Sequence, residues 1–300
     1  MAIKVLPGPK FSERTTLRLG GRAQAEIFLE SPEDAGELAG ELSRHASKPF
    51  VLGWGSNLLA VDGDLDLAVM SLAPGDPSLV EQAACCAGQA GEQVTVRVGG
   101  GLMLPKLVSW AAKLGLSGLE GLAGIPGTVG GAVAMNAGSY GRETADVLGR
   151  VRIWDAAGGL RWIGPAQWKA QYRSFVPKDC AASWLVLETE LVLKATTPEA
   201  VRAAVDANLA KKKATQPVSA ATCGCVFKNP EGASAGKMLD ELGFKGKSLG
   251  GMCFSAMHAN FLVNEGRGTA KAALELVAKA REAVLGRFGV ELELEVKVVQ

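Results

Sequence analysis

The sequence predicts an α+β protein in which helices and strands are mixed along the chain. Two segments, Ser31-Pro-Glu-Asp34 and Thr197-Pro-Glu199, carry helix-start signals: a capping hydroxyl, a proline at the first helical position and acidic residues in the first turn. Apolar and polar residues alternate in Gln93–Val98 and Glu291–Val299, which predicts strands. No Gly-x-Gly-x-x-Gly segment opens a helix after the first strand, so a simple dinucleotide-binding βαβ start is not supported.

The other elements follow from the same signals, with glycine and proline as boundaries. In chain order we predict a helix from Ser31 to about His45, a buried strand at Pro49–Gly53, strands at Leu65–Leu72 and Gln93–Val98, a helix at Leu104–Leu114 closed by Gly115, a hairpin of Gly149–Trp154 and Leu160–Ile163 about a turn at Ala156–Gly159, a strand at Trp184–Leu193, a helix from Thr197 to the basic run Lys211–Lys213, helices at Ser234–Gly243 and Thr269–Phe288 with a strand at Ala259–Asn264 between them, and a terminal strand at Glu291–Val299. The stretch Ala73–Gly91 is a predicted loop or lobe boundary.

The composition excludes several classes of protein. The chain has 300 residues, enough for two or three domains, and its 32 basic and 31 acidic residues leave a net charge of +1. Without a field of one sign, neither nucleic acid nor an anionic membrane is expected as a partner. The first residues form no apolar signal segment and no apolar run approaches the ~18 residues of a membrane span, so we expect a cytoplasmic protein.

The usage of cysteine and histidine argues against a metal centre. The six cysteines form no Cys-x-x-Cys pair and no zinc-type spacing, so we expect free thiols and no metal. Cys85 and Cys86 are interpreted as structural or incidental. With only two histidines, His45 and His258, a histidine-based triad or metal site is not supported.

The segment Gly118–Gly141 is the most informative part of the sequence. Its eight glycines alternate with apolar residues, so this backbone lies against a core and makes turns or close contacts that side chains would prevent. Free N–H groups in such a backbone suit a large phosphate-bearing ligand. A set of tight turns is the alternative. The upstream glycine loops Gly53–Asn57 and Gly99–Gly101 make that alternative weaker.

Two of these loops form a candidate clamp for a dinucleotide. Gly53–Leu58 offers glycine N–H groups, a hydroxyl and an amide at a strand end, which suits a pyrophosphate, although the motif alone fits a plain turn. The pairing with Gly124–Gly131 makes the signal more specific. The predicted cofactor-binding residues are Gly53, Trp54, Gly55, Ser56, Asn57, Leu58, Gly124, Ile125, Pro126, Gly127, Thr128, Gly130 and Gly131.

Charged side chains in two further segments are candidates for chemistry. Arg173 fits either a surface arginine at the start of a loop or a guanidinium aimed at a developing oxyanion. The alternation in the terminal strand places Glu291, Glu293 and Glu295 on one face. That face is either solvated or folds back so that one glutamate enters a cleft.

The segment Thr222–Pro230 offers a thiol. Gly224 allows an unusual backbone conformation before Cys225, and the Cys225 side chain fits a proton donor as well as a small buried residue on a turn. Cys223, only two positions earlier, is a close competitor for the same role.

Taken together, the motifs resemble the UDP-N-acetylenolpyruvoylglucosamine reductase family, the flavin enzymes of bacterial peptidoglycan synthesis. The order and spacing agree over nearly the full length. The matching segments are Thr16–Gly21, Gly53–Leu59, Gly118–Gly131 with Met135–Gly138, Tyr172-Arg173, Gly224–Pro230, His258–Phe261 and Leu292–Val296. The tract between Arg173 and Trp184 is short, so the chain is similar to the shorter type, which lacks the tyrosine lid loop.

The resemblance implies a two-lobed FAD-binding module of the vanillyl-alcohol-oxidase type, followed by a C-terminal α+β substrate-binding domain. We expect lobe 1 at residues 1–72, lobe 2 at 73–197 and the substrate-binding domain at 198–300, with the terminal strand near 290–300 folding back to the active site. The implied reaction is hydride transfer from NADPH to FAD, followed by reduction of UDP-N-acetylglucosamine enolpyruvate to UDP-N-acetylmuramate. NADPH and the UDP-sugar are therefore the expected partners.

The family pattern also implies roles for individual residues. Arg173 and Glu295 lie near the enolpyruvyl carboxylate and stabilise the enolate-like intermediate. The usual proton donor to C2 is a serine, and Cys225 occupies its position here. A thiol, with a pKa of about 8.5, can protonate a carbanion, at the cost of sensitivity to oxidation. Tyr140 and Asn229 match family positions near the substrate. Tyr172 and Lys228 are further predicted substrate contacts, Lys228 because its ammonium could bind an anionic ligand, while Lys211–Lys213 fits either the UDP phosphates or a solvated helix end.

The linkage of the flavin and two alternative functions complete the expectations. No histidine lies within Gly53–Leu59, so we expect noncovalent FAD. A flavin oxidase or dehydrogenase of the same superfamily, acting on a small alcohol or hydroxy acid, would keep the glycine loops without needing Gly224–Pro230. A noncatalytic module would bind a nucleotide sugar and carry no flavin.

Overall fold

The computed structural model describes residues 3–45, 47–80 and 91–300. The chain forms two compact units, each assembled from separate stretches of sequence. Unit 1 comprises Met1–Pro7, Ala25–Trp54 and Ala68–Lys211, and unit 2 comprises Gly8–Gln24, Gly55–Leu67 and Lys212–Gln300. The three-part division expected from the resemblance stays a prediction.

Helices and strands are interspersed over the described residues. The helices are α1 (Phe11–Arg14), α2 (Leu38–Arg44), α3 (Leu104–Leu114), α4 (Val129–Ala134), α5 (Pro198–Thr215), α6 (Ala235–Glu241) and α7 (Ala270–Phe288). The strands are β1 (Lys4–Pro7), β2 (Arg22–Leu29), β3 (Lys48–Val51), β4 (Leu58–Ala60), β5 (Asp64–Leu72), β6 (Ser78–Leu79), β7 (Gln93–Gly99), β8 (Leu116–Ser117), β9 (Gly138–Ser139), β10 (Arg142–Glu143), β11 (Leu148–Asp155), β12 (Gly159–Ile163), β13 (Trp168–Gln171), β14 (Ser174–Pro177), β15 (Trp184–Ala195), β16 (Thr222–Cys225), β17 (Ser248–Leu249), β18 (Met252–Phe254), β19 (Phe261–Asn264) and β20 (Lys297–Val299).

Unit 1 is organised around an antiparallel sheet with the order β12-β11-β15-β7-β6, to which β8 adds at β15. Consecutive residues of β15 point to opposite faces, and both faces are buried. Val186 belongs to a core that also contains α3 and α4, whereas Leu185 and Leu187 belong to a second core with Ile27 and Met70. This two-sided burial explains why the sequence of β15 begins as an unbroken apolar run.

Unit 2 contains a four-stranded antiparallel sheet with the order β16-β19-β18-β17. Its core includes fully buried side chains from the sheet and from α7, such as Phe254, Leu262 and Leu276. Phe244 meets Phe254 edge-on, with ring centroids 5.7 Å apart. Elsewhere in unit 2, β20 pairs in parallel with β4.

The structure bears out most of the predicted elements and corrects four. The predicted helix from Ser31 is a 3-10 turn at Pro32–Glu37 followed by α2, and two glycines at 36 and 40 weaken the helical preference there. The strand at Pro49 is not buried: β3 is an edge strand, the place where a proline without an N–H is tolerated, and Val51 is 39% exposed.

The other two corrections concern the terminal strand and the predicted loop Ala73–Gly91. The terminal strand is limited to β20, because among the described residues the stretch 291–296 forms an isolated bridge, Leu294 with Phe227, and no continuous strand ladder. A solvated helix end does not describe all of the basic run, because Lys212 is buried while Lys211 and Lys213 are exposed. The predicted loop Ala73–Gly91 contains β6, and its residues 81–90, with Cys85 and Cys86, lie outside the described residues.

The described ranges contain neither a membrane-spanning helix nor a cluster of metal ligands. No helix there has the length and apolarity needed to cross a membrane. In the same ranges, no group of three or more His, Cys, Asp or Glu side chains is arranged to hold a metal ion. Among the described residues, Cys180, Cys223, Cys225 and Cys253 form no disulfide.

Asp155 ties together the end of β11 and two neighbouring turns of unit 1. Its buried carboxylate accepts the N–H groups of Ala157 and Gly158, each at 2.9 Å, and that of Ala181 at 3.3 Å. The Arg161 guanidinium lies 2.6 Å away. Burial favours a higher pKa for this carboxyl, but the N–H groups and the guanidinium outweigh it, so the pKa of Asp155 lies well below its usual range.

We expect Asp155→Asn to lower the free energy of unfolding by about 2–4 kcal/mol at pH 7, because the buried N–H groups and guanidinium lose the carboxylate. A carboxyl whose folded-state pKa is lowered stabilises above its unfolded pKa of about 3.9 and loses this effect as the pH falls. The difference between wild type and variant in urea unfolding should therefore shrink below about pH 4. The exposed control Asp66→Asn should stay within about 0.5 kcal/mol. Equal midpoints at pH 7 would contradict the assignment.

Candidate active site

In unit 1, Gly53 lies against the start of α4. A Cβ built on Gly53 would stand 2.6 Å from Oγ1 of Thr128. That hydroxyl caps α4 by accepting the N–H of Gly131 at 3.2 Å, so it cannot turn away without cost. The close approach of the two glycine loops therefore requires a residue without a side chain at position 53.

The N–H groups at the start of α4 are already used within unit 1. Val129 donates to the carbonyl of Leu102 and Gly130 to that of Gly100, both at 2.8 Å. The third glycine segment of the sequence thus holds α4 in place. The backbone N–H groups of Gly53 and Trp54, by contrast, donate to no group of the described residues, so they are available to a ligand.

Two hairpin turns of unit 1 carry predicted site residues in the left-handed backbone region. Tyr140, between β9 and β10, and Arg173, between β13 and β14, both have φ of 55°. Non-glycine residues with such φ values are uncommon and concentrate at functional sites. Lys211 lies over the Tyr140 ring, with Nζ 5.6 Å from its centroid, and the Arg173 guanidinium lies 4.7 Å from the centroid of Tyr172.

Asn136 anchors the hairpin that carries Arg173, a role the sequence did not reveal. Its side chain is 1% exposed, and Nδ2 donates to the carbonyl of Gln171 at 3.0 Å and to the Glu143 carboxylate at 2.7 Å. Oδ1 accepts the N–H of Ala145 at 2.9 Å. The segment Met135–Gly138 had matched the family pattern without a physical reason, and these bonds supply one.

In unit 2, Cys225 follows a β-bulge in β16. Thr222 pairs with Val263 and Cys225 with Phe261, so two residues of β16 face a single residue of β19. Gly224, with φ of 78°, makes this local insertion possible. The unusual backbone conformation predicted at Gly224 is confirmed.

The bulge gives the two neighbouring cysteines different surroundings. Cys223 is 1% exposed and belongs to the core of unit 2, whereas Cys225 is partly exposed. Burial raises the pKa of the Cys223 thiol to about 12, and the negative charge of Glu295 adds to the rise. Cys223 is therefore enclosed in the core, out of reach of a ligand, whereas Cys225 is partly accessible, which favours Cys225 as the thiol for chemistry.

The C-terminal segment runs beside the residues that follow Cys225. The N–H of Glu295 donates to the carbonyl of Val226 and the N–H of Lys228 to the carbonyl of Glu293, both at 2.8 Å. Phe227 and Leu294 form an antiparallel bridge between these contacts. Within unit 2, the structure thus brings the backbones that carry the predicted thiol and carboxylate side by side.

The loop Gly55–Asn57 is fastened to both of these segments. Asn57 Nδ2 donates to the carbonyl of Glu295 at 3.0 Å. Thr16 donates its N–H to the carbonyl of Gly55 at 3.2 Å and its hydroxyl to the carbonyl of Thr222 at 2.6 Å. The segment Thr16–Gly21 matched the family without a predicted role, and Thr16 now has one in unit 2: it links the loop to the bulge.

The remaining predicted residues have simpler surroundings. The Lys228 ammonium lies 2.6 Å from the Glu293 carboxylate. Asn229 is exposed, and its Oδ1 accepts the N–H of Ala235 at the start of α6 at 3.1 Å. Leu58 is buried in β4, and Ile125 packs against the main core of unit 1.

Comparisons with known proteins identify the family of the chain. A family model described as "UDP-N-acetylenolpyruvoylglucosamine reductase, C-terminal domain" matches residues 216–299, and one described as "FAD binding domain" matches residues 23–164. A UDP-N-acetylenolpyruvoylglucosamine reductase from Nitratidesulfovibrio vulgaris is 48% identical over 299 residues, which cover 99% of each chain. The chain belongs to this reductase family.

More distant members of the reductase family match over the same length. The enzyme of Bacillus subtilis is 33% identical over 296 residues, covering 99% of this chain and 94% of the relative. The crystal structure of the Thermus caldophilus reductase superposes with a TM-score of 0.80 at 35% identity, covering 99% of this chain and 100% of the other. The predicted α+β fold, with an FAD-binding module and a C-terminal domain, is confirmed, and the protein is an FAD-dependent oxidoreductase of this family.

The residues of unit 1 fit the cofactor that the reductase family implies. Gly53 and Trp54 present backbone N–H groups that no described group accepts, and such groups suit phosphate oxygens. The space beside Gly53 is shaped by Thr128 and would be filled by a Cβ. The glycine loops Gly53–Leu58 and Gly124–Gly131 remain the predicted holders of FAD.

We expect Gly53→Ala to weaken FAD binding by about tenfold, or ~1.4 kcal/mol, because the new methyl group displaces the Thr128 cap. Titration of flavin-free protein with FAD, followed by flavin fluorescence, measures the change. Gly164→Ala is the matched control, since nothing lies within 4 Å of its built Cβ and its φ of −107° suits any residue. Unchanged affinity in Gly53→Ala would remove Gly53 from the cofactor site.

Proposed function

We propose that the protein catalyses the NADPH-dependent reduction of UDP-N-acetylglucosamine enolpyruvate to UDP-N-acetylmuramate, a step of peptidoglycan precursor synthesis. Membership of the reductase family supports this substrate, since the relatives carry the reductase name over their full length. The structural observation that carries the proposal is the backbone pairing of Val226 with Glu295, which sets a thiol-bearing strand beside a carboxylate-bearing segment. The alternative of a small-alcohol oxidase has no comparable need for this pairing.

The chemistry that FAD supplies when bound is hydride transfer, from NADPH and then to the substrate. The Cys225 thiol donates the proton to C2 of the enolpyruvyl group. Arg173 stabilises the negative charge that develops on the enolpyruvyl carboxylate through its guanidinium. Glu295 contributes to the same intermediate as the neutral carboxylic acid, whose O–H donates a hydrogen bond to the developing charge. The thiol is reprotonated from solvent after each turnover, which the partial exposure of Cys225 permits.

Further residues are proposed to hold the UDP-sugar. Tyr140 and Tyr172 offer exposed aromatic rings, 44% and 43% accessible. Asn229 keeps an amide N–H₂ for a ligand because its oxygen is the atom bound to α6. Lys228 offers a positive charge. To bind the substrate, its ammonium would either leave the Glu293 carboxylate or contact the carboxylate and the substrate at the same time.

The first test separates the two half-reactions of the wild-type protein. Under anaerobic conditions NADPH should bleach the flavin absorbance, and UDP-N-acetylglucosamine enolpyruvate should then restore it. NADPH and substrate must both be required, so each is omitted in turn as a control. Failure of the enolpyruvyl compound to reoxidise the flavin would refute the proposed function. Oxygen consumption with a small alcohol in the absence of NADPH would favour the oxidase.

Cys225→Ala should lose reoxidation by the substrate by about 10²-fold or more while NADPH still reduces the flavin, because only the substrate step needs the proton donor. Cys225→Ser should retain much of the activity. Stopped-flow absorbance measures both half-reactions. Cys253→Ala, which removes another partly exposed cysteine outside any disulfide, is the matched control and should resemble the wild type. Equal loss in both half-reactions would assign Cys225 a structural role instead.

A further inference from the structure

The segment His258–Phe261 matched the family pattern, yet the proposed reaction gives it no task. Within it, Asn260 is 2% exposed, and both ends of its amide are used. Oδ1 accepts the N–H of Phe227 at 3.0 Å, and Nδ2 donates to the carbonyl of Phe227 at 2.8 Å. The backbone carbonyl of Asn260 also accepts the N–H of Val226 at 2.8 Å.

The side-chain amide of Asn260 therefore pairs with the backbone of Phe227 as the peptide group of a neighbouring strand would. An amide side chain presents one carbonyl and one N–H₂, so it can pair with a backbone in the same way as a peptide group. It does so directly after β16, where the bulge has shifted the register against β19. Without this side chain, the backbone of Phe227 would be buried with neither its N–H nor its carbonyl satisfied, because Phe227 is 1% exposed.

The opposite edge of the same backbone carries the C-terminal segment. Lys228 donates to Glu293, and Val226 accepts from Glu295, both at 2.8 Å. The strip Val226–Lys228 is thus held on one edge by Asn260 and on the other by the segment that bears Glu295. Cys225 is bonded to this strip covalently and pairs with Phe261, the neighbour of Asn260.

We propose that Asn260 is a positioning residue that sets the Cys225 thiol and the Glu295 carboxylate in register with each other. The proposal rests on the proposed function, in which these two side chains act on the substrate. Asn260 itself is buried, and both its amide oxygen and its amide nitrogen bind the backbone of Phe227, so we assign it no direct contact with a reacting atom.

Asn260→Asp tests the idea with almost no change in shape. The carboxylate still accepts the N–H of Phe227, but its second oxygen faces the Phe227 carbonyl, and two acceptors repel each other. The strip should shift away from β19 and carry Glu295 with it. A displacement of about 1 Å can cost 10²-fold in rate. We expect reoxidation of the reduced flavin by the enolpyruvyl substrate to fall by about that factor, and flavin reduction by NADPH to stay within about threefold.

A second readout does not depend on activity. Hydrogen exchange measured by mass spectrometry should show at least about tenfold faster exchange in peptides covering residues 293–296 of Asn260→Asp, while α7 keeps its protection. The matched control is Asn264→Asp. Asn264 is the last residue of β19, the strand that begins directly after Asn260. Its amide also binds backbone, donating to Leu17 at 3.1 Å and accepting from Gly266 at 2.9 Å, yet it has no bond to the strip Val226–Lys228. It should leave both the half-reactions and the exchange of 293–296 unchanged.

The outcomes separate the two proposals. If wild-type reduced flavin is not reoxidised by the substrate, the proposed function is refuted. In that case only the hydrogen-exchange measurement tests the link between Asn260 and residues 293–296. If wild type reacts and Asn260→Asp matches it in both readouts, the positioning role is refuted. A proportional loss in both half-reactions would also refute it, as this indicates general unfolding. Should Asn260→Asp fail to fold, Asn260→Ser is the second variant, because its side chain is too short to reach Phe227 and adds no charge. It must slow reoxidation of the flavin by the substrate while leaving flavin reduction by NADPH nearly unchanged.

Discussion

The carbonyl of Val226 is the point on which the candidate chemistry of unit 2 depends. It accepts two N–H groups from the C-terminal segment, that of Glu295 at 2.8 Å and that of Val296 at 3.3 Å, while the N–H of the same residue is held by Asn260. Because these bonds join backbones, they do not depend on which side chain occupies position 225. A cysteine can therefore stand where the family pattern has a serine without disturbing the framework that presents it.

The bulge of β16 decides which of two cysteines is available. In a regular strand, residues two apart point to the same face. Cys223 and Cys225 would then share one environment, either both enclosed or both accessible. The additional residue at Gly224 breaks this rule, so the structure places Cys223 in the core and leaves Cys225 accessible in part. The bulge in the backbone thus gives two side chains of the same residue type different exposure to solvent.

The sequence predicted elements well where the signal was local. The helix α3 and its end at Gly115, the hairpin of β11 and β12, and the conformation at Gly224 all follow from spacing, turn residues and glycine. The prediction from sequence failed where the burial or the length of a strand depends on its pairing partner. The burial of a strand at Pro49 depends on its position at a sheet edge, and the extent of the terminal strand depends on a neighbour more than two hundred residues away.

The site was predictable as a set of segments but not as a network of contacts. Asn136 and Asn260 lie in stretches that matched the family, yet nothing in composition or periodicity indicates that an amide will pair with a distant backbone. Thr16 is a similar case, because its two bonds join residues that lie far apart in the sequence. Such bonds are long-range and specific to one geometry, so a single sequence gives no local signal for them.

The parallel pairing of β4 with β20 has a consequence for biosynthesis. Asn57 and Glu295 are separated by 238 positions, and Lys297 pairs with the residue after Asn57. At roughly 5–20 residues per second, a ribosome needs on the order of 10–50 s to cover this interval. Until then β4 lacks its partner, so nascent unit 2 carries an open strand edge until residues 297–299 have been synthesised.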